Sequence, residues 1–559
     1  MGRTILICSV ALAGLAGGLA QPALAARNDL AALRAYVRGR AAIADDRLGD
    51  AARLFQMALT DGGPDPMLRQ RTFGLALLSG DEKLSRTLAQ QIEEGGGKSG
   101  LDTRLVLLSS AVQKKDWARA RAIRDELMQG KQLLFALPII DSWIAFGSGG
   151  DTLAPIQNIG RDAAANAYAA EHRALVLGAM GRIDEALTAF QPLVADDEGR
   201  SLRMKLAAAA LLQRQHRDDD ALAMLNGDSP VLKMAAADVR DHRALETGVL
   251  TPADGLAALF TRLAVDLSAE KATPASIAIA RLATFLAPSS GDGWVVTANM
   301  LALDGKPEAA MQALSHVSQR DPFLPQAQAL SITLLQRLGR GEEALAVAQT
   351  ATARPQAGAD EWAQLGETLT ALGRPREAAD AYGEAIRRLP ADKPSWSLFL
   401  LRGSAFEQAG DWKSAEPELR RALALAPDQP VVMNYLGYGL LDRGLHVAEA
   451  RKLIEQASAL RPRDAAISDS LAWVYYRDGD YSRAIPLLER AVQLEPGEPT
   501  INEHLGDAYW QVGRRLEARY AWRAALVTAE GTDVIDRLKA KIDIGMDGSG
   551  MEGRQKDRP

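Results

Sequence analysis

Residues 94–99, Glu-Gly-Gly-Gly-Lys-Ser, contain the residue types of a phosphate-binding loop, in which glycine N–H groups, a lysine and a serine surround a phosphate. That loop also needs a glycine five residues before Gly97, where this chain has Ile92. It follows a β-strand, whereas the apolar spacing before residue 94 indicates a helix. We therefore interpret residues 94–99 as a flexible loop and not as a nucleotide site.

Residues suited to metal, acid–base or nucleophilic chemistry are not clustered in this sequence. The histidines form no His-x3-His pair; they are His172, His216, His242, His316, His446 and His504. No Gly-x-Ser-x-Gly motif is present, and the one cysteine is Cys8. The sequence therefore predicts no catalytic residue, no metal site and no cofactor, and it favours binding over catalysis.

The elements that could position a binding site repeat at a fixed interval. A glycine followed five or six residues later by an alanine recurs seven times, and the alanines are Ala310, Ala344, Ala378, Ala415, Ala450, Ala484 and Ala518. Their separations are 34, 34, 37, 35, 34 and 34 residues. Such a period predicts an array of helix pairs in which each pair buries its apolar face against its neighbours.

The clearest copy covers residues 359–392. Its small and bulky residues recur at i, i+3, i+4 and i+7 in two runs separated by Gly373, which predicts two amphipathic helices with a left-handed turn between them. The residues that carry this pattern are Trp362, Leu365, Gly366, Leu369, Ala378, Tyr382, Ala385 and Pro390. The pattern resembles the tetratricopeptide repeat family, with its Trp-x2-Leu-Gly-x2-Tyr, Ala-x3-Phe, Ala and Pro positions.

This resemblance implies an all-α fold, an α-solenoid superhelix of stacked antiparallel helix pairs whose first helices line a concave face. The positions of that face in the last three repeats hold aromatic and acidic residues, which we predict to bind a partner: Asn434, Tyr438, Asp469, Trp473, Tyr476, Glu503, Asp507 and Trp510. Large aromatic side chains are enriched at binding centres. The carboxylates would meet backbone amides or basic groups of the partner. The alternative is that these aromatics pack against the next repeat.

The rest of the chain divides around this regular array. Residues 291–530 form the seven-repeat array, and residues 26–290 carry the same period faintly, which predicts degenerate repeats or, alternatively, an unrelated helical domain. Residues 531–545 form a predicted amphipathic capping helix. The polar, Gly-rich residues 546–559 form a predicted disordered tail.

The N-terminus and the composition indicate an exported protein. Arg3, an apolar run from Thr4 to Ala20 and the Ala-Leu-Ala of residues 23–25 match a secretory signal over residues 1–25, cleaved near Ala25, with an uncleaved anchor as the alternative. The chain has 47% hydrophobic residues, 24% charged residues and a net charge of −6, which give no reason to expect nucleic acid or an anionic membrane as the main partner. No later apolar run is long enough to span a membrane.

Together these features predict a periplasmic or secreted, non-catalytic scaffold of the bacterial cell envelope, peripheral to a membrane if it meets one. It would bind protein or peptide partners in the concave groove. One alternative is a structural component of an envelope assembly, secretion or polysaccharide-export machine. An enzyme hidden in residues 28–290 is another, and a deep polar pocket there would favour it.

Overall fold

The computed structural model describes residues 29–95, 99–157, 163–195, 199–268 and 273–546. Throughout these ranges the secondary structure is helical, with no β-strand, and the chain divides into two compact units at Ala357 and Gly358. None of the described helices is long and apolar enough to cross a membrane. The predicted signal of residues 1–25, the centre of the glycine-rich loop and nearly all of the predicted tail lie outside the described residues.

Unit 1 ends at Ala357 and contains nineteen described α-helices and one short 3-10 helix, 191–193. They are α1 (29–44), α2 (Leu48–Gly62), α3 (Pro66–Ser79), α4 (Glu82–Glu94), α5 (Leu101–Gln113), α6 (Trp117–Gln129), α7 (Leu137–Ser148), α8 (Ala154–Gln157), α9 (Ala163–Ala179), α10 (Ile183–Phe190), α11 (Gly199–Arg214), α12 (Asp218–Met224), α13 (Pro230–Arg240), α14 (Pro252–Leu267), α15 (Pro274–Leu286), α16 (Gly291–Leu303), α17 (Pro307–Leu314), α18 (Leu324–Arg337) and α19 (Gly341–Thr352).

Unit 2 begins at Gly358 and consists of five helix pairs and one further helix in its described part. They are α20 (Ala359–Ala371), α21 (Pro375–Arg388), α22 (Trp396–Gln408), α23 (Trp412–Leu425), α24 (Pro430–Asp442), α25 (Val447–Leu460), α26 (Ala465–Arg477), α27 (Tyr481–Leu494), α28 (Pro499–Gln511), α29 (Arg515–Thr528) and α30 (Thr532–Ile544).

The period of glycine and alanine explains the helix pairs. The turn glycines have positive φ, as at Gly373 (67°) and Gly479 (77°), so each first helix ends where a side chain would be strained. All seven periodic alanines are 0% exposed. An alanine at that point lets the second helix approach the first closely, and the predicted all-α solenoid of antiparallel pairs is confirmed.

Residues 291–352 form two regular pairs, α16–α17 and α18–α19, that belong to unit 1. The division between compact units therefore falls within the seven-repeat segment. Earlier in unit 1 the faint copies also form helix pairs, including α1–α2 and α9–α10.

The pair α14–α15 departs from a simple stack, because it packs against helices that precede it by more than 100 residues. Arg281 Nε donates a hydrogen bond to the Leu78 carbonyl oxygen at 3.1 Å, and Gln113 Nε2 donates to the Phe285 carbonyl oxygen at 2.6 Å. A Cβ at Gly255 would lie 2.1 Å from the Trp143 ring, so glycine is required for this close approach. Residues 252–286 thus fold back onto the earlier helices instead of extending them in order.

Candidate partner-binding groove

The eight residues predicted to bind a partner lie on the first helices of the last three pairs, α24, α26 and α28. These helices border a cavity of about 1020 Å³ in unit 2, which we call the groove. Five of the eight residues line it: Tyr438, Trp473, Tyr476, Glu503 and Asp507. The structure does not place Asn434, Asp469 or Trp510 in its lining.

Trp473 forms the aromatic floor of the groove. Its ring lies 4.4 Å from the Tyr476 ring and 3.9 Å from the imidazole of His504, both nearly parallel to it. Trp473 is only 8% exposed, so it is not the freely exposed anchor that the sequence suggested. It packs against the next repeat, as the alternative interpretation held, and it borders the groove as well.

Trp510 requires a correction. It is 6% exposed and lies 5.3 Å from the fully buried Trp522, with Gly545 packed against its ring. The guanidinium of Arg515 also stacks on this ring, at 3.8 Å from its centre. Trp510 therefore anchors the end of α30 and does not line the groove, because this side of α28 faces the C-terminal segment.

The acidic residues of α28 are neutralised from within the chain. Lys541 Nζ donates to Glu503 Oε1 at 2.7 Å and to both carboxylate oxygens of Asp507, at 2.8 and 2.7 Å. Arg537 donates two hydrogen bonds of 2.9 Å to the Glu503 carboxylate. The expectation that a partner supplies these cations is corrected, since α30 supplies them.

These ion pairs shift the pKa of Glu503. Burial acts to raise the pKa of this carboxyl, but Arg537 and Lys541 outweigh burial and lower the pKa to about 2. Glu503 is therefore ionised at neutral pH, in keeping with its bidentate contact with Arg537.

The register of α30 follows the repeat. Glu503 and Arg537 are 34 residues apart, as are Asp507 and Lys541. The helix packs apolar residues Val534 and Ile542 against the core around Leu538 and Trp522. It thus occupies the position of the first helix of a further repeat.

His504 and Asp469 form a second buried pair between α26 and α28. His504 Nδ1 lies 2.9 and 3.0 Å from the two carboxylate oxygens of Asp469. Burial acts to lower the pKa of His504, but Asp469 foremost, with Asp507 and Glu503, outweighs burial and raises the pKa above its ordinary 6.5. Asp469 therefore favours the charged form of His504, whose ring stacks on Trp473.

This pair makes the stability of unit 2 depend on pH. The pKa of His504 is raised in the folded state. The stability that the His504–Asp469 pair contributes is therefore complete below about pH 6.5 and is lost as the pH rises through the folded pKa. We expect the thermal midpoint of the protein to fall as the pH rises above about 6.5 and the His504→Gln variant to lose this pH-dependent component. If the thermal midpoint depends on pH in the same way in the wild type and in His504→Gln, the assignment of this dependence to His504 is contradicted.

Sequence reasoning missed the groove residues His504, Arg537 and Lys541. Arg537 and Lys541 could have been found by counting one further repeat length, 34 residues, from Glu503 and Asp507. Among the described residues, no group of three or more His, Cys, Asp or Glu side chains is placed to hold a metal ion.

Comparison with known proteins agrees with the architecture. Residues 363–430 and 436–499 match the tetratricopeptide repeat family model. A TPR repeat-containing protein of Pseudomonas aeruginosa is 32% identical over 199 residues, covering 35% of this chain and 33% of that protein. Cellulose synthase 2 operon protein C of Komagataeibacter xylinus is 30% identical over 188 residues, covering 33% of this chain and 14% of that protein.

Bacteriophage adsorption protein A of Escherichia coli is 30% identical over 132 residues, covering 22% of this chain and 13% of that protein. The chain thus matches no more than a third of the length of these three relatives. A solved tetratricopeptide repeat protein from Parabacteroides merdae aligns over 44% of this chain and 96% of its own, with 16% identity and a TM-score of 0.38. The family-model match, together with the stacked helix pairs, identifies tetratricopeptide repeats in residues 363–430 and 436–499.

Proposed function

We propose that this protein is a non-catalytic scaffold of the bacterial cell envelope that holds a segment of a protein partner in the groove of unit 2. Tetratricopeptide repeats are protein-interaction modules, and the groove is the large cavity that their first helices border here. The observation that carries the proposal is an unpartnered polar atom in the groove floor.

That atom is the indole nitrogen of Trp473. Its N–H is buried and has no hydrogen-bond partner among the described residues. A buried donor without a partner costs about 1–3 kcal/mol, and a carbonyl oxygen of a bound segment would remove that cost. A peptide backbone offers the acceptor that this indole N–H lacks.

The charges at the groove edge also suit a polypeptide. Asp442, Arg477 and Glu530 line the groove, are exposed and form no ion pair with other described residues. These three residues carry one positive and two negative charges, and this net negative charge would not attract a phosphate backbone. Side chains of either sign on a partner segment would find a counter-charge next to the aromatic floor.

The predicted secretory signal supports the envelope location, and two relatives support an envelope role. Their names connect one relative with a cellulose synthase operon and the other with bacteriophage adsorption. A structural component of an envelope assembly, secretion or polysaccharide-export machine is therefore the second candidate function. It would use the same groove, with a permanent partner in place of a transient one.

The test removes the indole N–H and keeps the stacked ring. We expect the Trp473→Phe variant to recover a groove partner several-fold less well than the wild type, since a hydrogen bond to a buried donor is lost. Partners are found by proximity labelling in the periplasm, and their segments are then synthesised and titrated into purified protein.

The matched control is Trp412→Phe, because the Trp412 indole N–H donates to Glu416 and Trp412 does not line the groove. Equal affinity of every such segment for the wild type and Trp473→Phe would overturn the proposed groove. Failure of labelling in the periplasm, with normal labelling in the cytoplasm, would overturn the location alone.

A further inference from the structure

Unit 1 contains a second cavity, of about 120 Å³, that is separate from the groove. It lies where α9 and α11 meet the folded-back helix α14 and the start of α16. The space is close to that of cavities known to hold a benzene molecule, and it is larger than one or two waters require. One wall is apolar, with Leu175, Met204, Val249 and Phe323, and the other carries charged groups.

His172 lines this cavity and has one donor to offer. The Trp143 indole N–H donates to His172 Nδ1 at 3.0 Å, and an indole cannot accept, so the neutral ring must carry its proton on Nε2. Trp143 is not part of the lining, so the ring edge bearing Nε2 is the one available to the cavity. His172 is 1% exposed, and among the described residues its ring takes part in one hydrogen bond, the one from Trp143.

The ring stays neutral at physiological pH. Burial, and after it the charge of Arg262, lowers the pKa of His172 to about 3. The Nε2–H group is therefore a fixed donor and not a titrating one.

Three arginines surround the charged wall. Arg200 Nε and an Arg262 terminal nitrogen contact Glu171 Oε1 at 3.1 and 2.5 Å. Arg203 donates to both carboxylate oxygens of Asp292, at 2.7 and 3.0 Å. A guanidinium has five N–H groups, so these contacts leave further N–H groups of Arg200 and Arg203 for a ligand.

In the described structure, the two other carboxylates in the lining form no ion pair with these arginines. Asp254 accepts from the backbone N–H groups of Leu250 and Thr251 at the start of α14. Glu246 is exposed. Arg200 is 52% exposed in its side chain, which places one cation at the rim where a ligand would enter.

We propose that this cavity binds a small organic carboxylate with a short apolar body. The carboxylate accepts hydrogen bonds from Arg200, from the free N–H groups of Arg203 and from His172 Nε2–H. The apolar body lies against Leu175 and Met204. A planar guanidinium matches a carboxylate in geometry as well as charge, which favours this acceptor over a neutral one.

The test titrates hexanoate and its neutral analogue hexanamide into the full chain by calorimetry. We expect one hexanoate per chain and at least tenfold weaker binding of hexanamide, since the charge-assisted hydrogen bonds are lost. Arg200→Gln should weaken hexanoate roughly tenfold, whereas Arg214→Gln, at the exposed far end of α11, should leave the affinity unchanged.

A cavity-filling variant locates the site. Ala258 is half-buried in the lining, and Ala258→Phe should abolish hexanoate binding while the helical circular dichroism is retained. If Ala258→Phe does not fold, Arg200→Gln decides the test. Absence of hexanoate binding, equal binding of hexanamide, or unchanged affinity in Arg200→Gln would overturn the proposal.

Discussion

Replacing Lys541 with methionine is expected to lower the free energy of unfolding of unit 2 by about 3–5 kcal/mol, the usual cost of removing one partner of a buried ion pair. Lys541 is buried and donates to both Glu503 and Asp507. Methionine keeps most of the volume but removes the charge. Glu503 retains Arg537, whereas Asp507 is left buried without a cation.

The measurement is urea unfolding followed by tryptophan fluorescence, because Trp510 and Trp522 lie in the core that α30 covers. Lys539→Met is the matched control, since Lys539 is exposed on the same helix and should change stability little.

A second substitution separates charge from packing. In Lys541→Met combined with Asp507→Asn, the asparagine oxygen can still accept from the Trp522 indole N–H, which lies 2.9 Å from the present carboxylate. We expect the double variant to recover part of the lost stability. A single variant as stable as Lys539→Met would show that α30 is not held by these ion pairs.

The helix pairs could be predicted from sequence because local residues encode them. A glycine at a left-handed turn and an alanine at a helix crossing act within one pair, and both recur at a fixed interval. That is why the turn at Gly373 and the contact at Ala378 are where the period placed them.

The surroundings of the first helices could not be predicted in the same way. The period identifies which residues share a face, but the next element along the chain decides whether that face is covered. Trp510 belongs to the same face as Trp473, yet α30 and Gly545 cover Trp510. The positions 34 residues after Gly513 and Ala518 hold Asp547 and Glu552, so the sequence period appeared to end with the seventh repeat.

Contacts between segments that are far apart in the chain also could not be predicted from the sequence. No local pattern pairs Gly255 with Trp143, or Arg281 with the carbonyl of Leu78. Residues 28–290 were expected to be degenerate repeats, and their helices are paired, but the folding back of α14–α15 creates the cavity beside His172. A deep polar pocket in this region was the feature that would favour an enzyme. The cavity beside His172 has both polar and apolar lining residues, and we propose a bound ligand for it.

Substituting leucine for Gly506 is expected to cost about 3 kcal/mol of unfolding free energy, at the upper end of typical overpacking. A Cβ at this position would lie 2.4 Å from Trp522 Cδ1 and Nε1, a separation that no relaxed structure tolerates. Trp522 is fully buried, and its indole N–H is held by Asp507, so the ring cannot move aside without losing that bond.

Gly513→Asn is the control for Gly506→Leu, at the turn between the same two helices. Gly513 has a φ of 81° with nothing within 4 Å of a Cβ, and asparagine is among the residues that tolerate this left-handed conformation. We expect the control to unfold at nearly the wild-type urea concentration and Gly506→Leu at a clearly lower one. Equal midpoints for the two variants would mean that Trp522 does not pack on α28 at Gly506, and the helix register derived from the repeat would then be wrong in unit 2.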